Sequence, residues 1–106
     1  MDNITFRQDA TVLVNVLTCE PADQNGLLAL LRENTDQVVA SLDGWISTSL
    51  LAAADGSRVV IVSQWRGTEA VKGMQADARM QAYFPRIAAR ARFDSIVGTV
   101  AHARAA

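Results

Sequence analysis

Apolar positions along the chain change their period several times, and each change predicts an element. Thr11 to Thr18 (TVLVNVLT) is a β-branched run of strand length. Glu20-Pro21-Ala22-Asp23 reads as a turn into a helix, since proline is tolerated in a first helical turn. From Gln24 to Leu42 the apolar residues recur at helical spacing, and Leu27, Leu30, Leu31, Val38 and Leu42 form one stripe. Asp43-Gly44 ends that helix. Trp45 to Leu51 is a second strand, Ala54-Asp55-Gly56-Ser57 a hairpin turn, and Arg58 to Trp65 (RVVIVSQW) the third and clearest strand. Gly67-Thr68-Glu69 caps a short helix through Ala76. A second helical stretch covers Ala78 to Ala91, where Pro85 predicts a kink or break near Phe84. Ser95 to Arg104 is the last strand. Residues 1–10 read as an N-terminal arm, 11–104 as the folded domain and 105–106 as a tail.

The order β-α-β-β-α-β is the ferredoxin-like split β-α-β arrangement, an α+β fold with a four-stranded antiparallel sheet and helices on one face. The uncovered face of such a sheet normally carries polar residues in alternation. The third strand departs from this. Val59, Ile61, Ser63 and Trp65 point one way, and Val60, Val62 and Gln64 the other. The first strand sets Val12, Val14 and Val16 against Leu13, Asn15 and Leu17. Both faces call for burial. The simplest cover is the same sheet of a second copy, so a homodimer through the face that includes Val60 and Val62 is expected.

Composition sharpens this picture. Half of the 106 residues are hydrophobic, a high share for a small monomer. The net charge is -1 with no Lys or Arg run, which argues against nucleic acid as a partner. Arg79, Arg86, Arg90 and Arg92 make either a solvated helix face or an anion contact. Cys19 is the single cysteine, so no internal disulfide can form. The start Met1-Asp2-Asn3-Ile4 does not read as a signal peptide, and no apolar run is long enough for a membrane span, so no membrane partner and a cytoplasmic setting are expected.

Candidate chemistry is sparse. Trp65 is either core or the wall of a cavity between sheet and helices, and its indole N–H needs a partner if buried. Asn15 is polar within an apolar strand and must bond a neighbouring strand group or a ligand. Ser63 shares the face of Trp65, while Ser47 and Ser49 either add hydroxyls or meet solvent. Tyr83 and Phe84 close the core or narrow the mouth of a pocket. His102, the only histidine, stands apart from any nucleophile or carboxylate partner, and no ligand set for a metal is evident. The six glycines form no phosphate-binding motif. A small hydrophobic or aromatic molecule in an apolar cavity is the ligand class this residue set suits.

Three passages resemble the antibiotic biosynthesis monooxygenase family of the dimeric α+β barrel superfamily. They are Asp43-Gly44-Trp45, the hairpin Ala54-Asp55-Gly56 followed by Val59 to Trp65, and the helix start Gly67-Thr68-Glu69-Ala70. The resemblance implies a dimeric α+β barrel and, in one branch, a cofactor-independent monooxygenase that oxidises an anthrone-like or quinol-type substrate with O₂. It implies catalytic roles for Trp65 and Asn15, substrate contacts from Ser63, Ile61, Leu51, Tyr83 and Phe84, and neither cofactor nor metal. The Tyr-His pair and the Asn of such enzymes are matched here by Leu50, Leu51 and Ile61. A haem-degrading branch shares the asparagine at Asn15. Its haem-ligating histidine matches Tyr83 or Phe84, and its tryptophan falls near Met74, which argues against that chemistry. The alternative function is a non-catalytic ligand-binding or structural dimer of the same fold.

Overall fold

A computed structural model describes residues 4–106, and the start of the arm, Met1 to Asn3, lies outside the described residues. Strand β1 (Thr11–Thr18) leads through a 3-10 turn at Pro21–Asp23 into α1 (Gln24–Gln37). A second 3-10 turn, Val39–Ser41, precedes β2 (Trp45–Ala52) and β3 (Arg58–Trp65). Helices α2 (Thr68–Ala76) and α3 (Ala78–Ala88) follow, and β4 (Arg92–Thr99) closes the fold. The strands form one antiparallel sheet in the order β2-β3-β1-β4, the ferredoxin-like topology expected from the sequence.

The main departures from the sequence expectation each have a physical reason. The first helix stops at Gln37 rather than running to Leu42. Val38 and Val39 are both buried, and the change to a 3-10 turn points two adjacent valines inward, which a regular helix cannot do. Pro85 does not break α3, which continues to Ala88. The carbonyl that Pro85 leaves without its helical partner belongs to Gln81, which is exposed and open to water, while Met80 and Ile87 anchor the two ends in the core. The last strand spans Arg92–Thr99 instead of Ser95 to Arg104. Its partner β1 has only eight residues, pairing Thr18 with Arg92 and Thr11 with Thr99, so beyond Thr99 there is no strand edge to bond. His102 therefore sits in an exposed tail.

Two glycines are required by geometry. Gly44 has φ 81°, and a Cβ there would stand 2.5 Å from the Cβ of Ala70 on α2. Gly56 has φ 79° in the β2–β3 hairpin, where Asp55 Oδ1 accepts from the Ser57 amide at 2.9 Å and from its hydroxyl at 2.6 Å.

The core lies between the helices and one sheet face. One half gathers Leu13, Trp65, Val71, Met74 and Met80, and the other Leu17, Leu27, Leu31, Val59 and Ile87. The opposite sheet face carries Val12, Val14, Val16, Val60 and Val62, with Leu51 54% and Ile96 62% exposed. No helix covers it. Part of the N-terminal arm does. Gln64, on that face and only 1% exposed, accepts from the Arg7 amide at 2.8 Å and donates to the Thr5 carbonyl and to Ser47 Oγ, both at 2.9 Å.

Candidate active site

The strand register brings the polar positions of the inner face together. Leu13 pairs with Ser63, Asn15 with Ile61, and Thr11 with Trp65. On the next strand Thr48 lies opposite Ser63. Above them a cavity of about 70 Å³ remains between sheet and helices. Asn15, Ile61, Ser63 and Trp65 line its floor, and Asn34, Met80 and Phe84 its roof. Phe93 on the edge strand, 44% exposed, stands at its side.

The polar groups of this cavity are well ordered by their partners. The Trp65 indole donates to Ser63 Oγ at 2.9 Å, and Ser63 Oγ in turn reaches the Leu13 carbonyl at 3.4 Å. Thr48 Oγ1 accepts from the Trp45 indole at 2.9 Å. The Ser95 hydroxyl donates to Asn15 Oδ1. Asn34, 95% buried on α1, donates from Nδ2 to the Met80 thioether at 3.3 Å. Met80 is held there because Asp77 caps α3, accepting from the Arg79 amide at 2.9 Å and the Met80 amide at 3.3 Å. The Arg79 side chain, hydrogen-bonded to the same carboxylate, keeps Asp77 below the usual carboxylate range.

Among the described residues, the side chains around the cavity include no carboxylate, histidine, lysine, arginine or tyrosine. Ionised pairs lie on the outside, as in Asp43 with Arg66 at 2.8 Å, which lowers the Asp43 carboxyl and raises the guanidinium. The site is thus a small, mostly apolar chamber, partly open to solvent, with a few neutral polar groups. It can orient a planar molecule and exclude water, and it carries no built-in proton acceptor of ordinary strength. A larger concavity of about 670 Å³ runs between α1 and α3, but it is an open cleft bordered by Asp23, Glu33, Arg86 and Arg90. Among the described residues no group of three His, Cys, Asp or Glu side chains gathers as a metal site.

Of the residues singled out from the sequence, Trp65, Asn15, Ser63, Ile61 and Phe84 meet at the cavity. Leu51 does not. It pairs with Val60 and so points to the opposite sheet face, because one residue along a strand reverses direction. Tyr83 does not reach the chamber either. Its ring packs against both halves of the core, and its hydroxyl turns outward to Glu33 Oε2 at 2.8 Å, which raises the phenol above its ordinary range. The Arg86 guanidinium lies 5.0 Å from the centre of the same ring. The sequence reading missed Asn34, Thr48, Met80 and Phe93. Asn34 was open to detection, since it interrupts the stripe of Leu27, Leu30, Leu31 and Val38 at helical spacing.

Fold and chamber define a ferredoxin-like domain with a small, largely apolar site beside a strand-ending tryptophan. The chain belongs to the antibiotic biosynthesis monooxygenase family, whose model matches residues 10–86. It is 32% identical over 84 residues to the tetracenomycin-F1 monooxygenase of Streptomyces glaucescens, across 79% of this chain and 75% of that protein. Its fold is similar to that of the monooxygenase from the gene ActVA-Orf6 of Streptomyces coelicolor, solved in complex with nanaomycin D. That match has a TM-score of 0.84 and 21% identity, covering 93% of this chain and 94% of the other. SnoaB, a cofactor-independent oxygenase from Streptomyces nogalater, superposes with a TM-score of 0.76 and 19% identity, over 90% of this chain and 96% of that one.

Proposed function

We propose that the protein is a cofactor-independent monooxygenase acting on a small aromatic substrate of anthrone or quinol type, in the chamber beside Trp65. The observation that carries this reading is the chamber itself, largely apolar and furnished with neutral polar groups, in a chain similar to the tetracenomycin-F1 monooxygenase. For an anthrone the reaction needs no external reductant. The activated CH₂ loses a proton to water or buffer before the substrate is enclosed, and in the chamber the carbanion passes an electron to O₂. The resulting pair combines to a hydroperoxide, which loses water to leave a carbonyl. Oxidation of CH₂ to C=O supplies the four electrons that place one oxygen atom in product and one in water. The protein contributes orientation and exclusion of bulk water.

The chamber, at about 70 Å³, is smaller than the few hundred Å³ of typical ligand sites. Substrate entry therefore requires displacement of the wall, and Phe93 and the half-buried Phe84 are the side chains placed to move. We further propose that a second copy covers the outer sheet face around Val60 and Val62, a reading supported by the uncovered apolar surface there. Oxygen uptake measured with a panel of anthrones and quinols tests the activity. Substrate-dependent consumption with one carbonyl formed per O₂ is expected, and no consumption across the panel rejects the enzyme in favour of a ligand-binding dimer.

A further inference from the structure

Asn34 is a polar side chain on the apolar stripe of α1, 95% buried, and lines the chamber. Its one side-chain hydrogen bond among the described residues is Nδ2 to the Met80 thioether at 3.3 Å. A thioether sulfur can only accept, so this contact fixes which end of the amide faces Met80. The carbonyl oxygen, Oδ1, is left as the free end: no donor is bonded to it among the described residues, and the atom keeps some accessible surface, since no fully buried side-chain oxygen there lacks a partner. The other polar side chains on the walls are at least partly engaged, with Asn15 Nδ2 alone also lacking a partner among the described residues. Ser63 holds the Trp65 indole, Thr48 the Trp45 indole and Asn15 the Ser95 hydroxyl, while Thr35 Oγ1 donates to the Leu31 carbonyl at 2.8 Å.

An acceptor on a largely buried side chain, accessible yet without a protein donor, is placed to take a donor from a ligand. Resting on the chamber being the ligand site, we propose that Asn34 is a specificity-determining residue whose Oδ1 accepts a hydrogen bond from a hydroxyl on the aromatic ligand. Leucine at this position would match the neighbouring Leu30 and Leu31 and complete the stripe. The amide instead gives the roof one acceptor in an apolar surround. A site of that kind discriminates strongly for the molecule bearing the donor, because the analogue without it leaves the acceptor unpaired. The preferred ligand is thus a phenol or enol, presented with its hydroxyl toward α1.

Calorimetric titration of the intact protein with a naphthol and with naphthalene tests this without requiring turnover. In Asn34→Leu the ratio of naphthol to naphthalene affinity is expected to fall about tenfold to hundredfold. The melting temperature should stay at or above that of the parent, which a purely structural role for the amide would not allow. If the leucine variant does not fold, Asn34→Ala removes the same oxygen and is read in its place. An affinity ratio unchanged within about twofold, a melting temperature that drops with the ratio intact, or no binding of either ligand to the parent overturns the proposal. Discrimination by Asn34 without oxygen consumption would reject the monooxygenase reading alone. Turnover of anthrones with no Asn34-dependent discrimination would reject this inference alone.

Discussion

The Trp65 indole N–H donates to Ser63 Oγ at 2.9 Å, so two residues on the same face of β3 satisfy one another inside the fold. Trp65 is 1% exposed and Ser63 3%, and neither polar group has a route to water without local opening. With its N–H engaged, Trp65 offers the chamber its ring and not a free donor. The stability of the pair is coupled. Ser63→Ala leaves a buried indole donor unpaired and should cost about 1–3 kcal/mol. The same change in a Trp65→Phe background should cost distinctly less, because no donor is left to satisfy. Trp65→Ala should cost about 3–5 kcal/mol and lower turnover further than the Phe variant does. Urea unfolding of the four variants measures the coupling, and additive costs would show that the bond contributes nothing.

The chamber walls bear on the pH dependence. With no ionisable side chain lining the site among the described residues, the rate should follow the ionisation of the substrate. The logarithm of kcat/KM is expected to rise with unit slope and level off at the substrate's own pKa. A substrate of lower pKa should shift the profile down by the same amount. Profiles for two anthrones of different acidity decide this. A limb that stays at one pH for both would reveal a protein base and contradict the site described above.

The outer sheet face predicts the assembly. A species near twice the 11.4 kDa chain mass is expected in solution. Val62 sits among Val14, Val60 and Ser49 on this face, and Val62→Glu would place an unpaired charge in the interface. Sedimentation should then show monomer, or the chain should fail to fold. A stable parent monomer at micromolar concentration would refute the proposed dimer.

Gln64 predicts the behaviour of the arm. Its side chain bonds the backbone at both Thr5 and Arg7, so Gln64→Leu removes both attachments while keeping an apolar group on the face. The Arg7 amide should then exchange its hydrogen faster, by about tenfold or more for the loss of a buried bond worth about 1.5 kcal/mol. Exchange of the β3 amides should change little. Unaltered Arg7 exchange would mean that other contacts hold the arm.

Much of this protein follows from local pattern. The strands β1 and β3 have the bounds that their β-branched runs predict, and the Asp55-Gly56 turn forms where the sequence places it. The period-two alternation was enough to put Ile61, Ser63 and Trp65 on one face with Asn15, because side-chain direction in a strand depends only on position along it. The apolar character of the other face was legible for the same reason.

What the sequence could not decide depends on partners distant along the chain. Leu51 and Tyr83 read as pocket residues, yet pairing register turns the first to the outer face and Glu33 on α1 draws the hydroxyl of the second outward. The start of β4 at Arg92 was set by the length of β1, seventy-odd residues earlier, and that shift brought Phe93 to the chamber. Helix α3 survives Pro85 because both of its ends are packed. Asn34 acquires its place only when Met80 is folded against it. Local propensity assigns the elements, but a cavity is the space left between elements, and only their packing creates it.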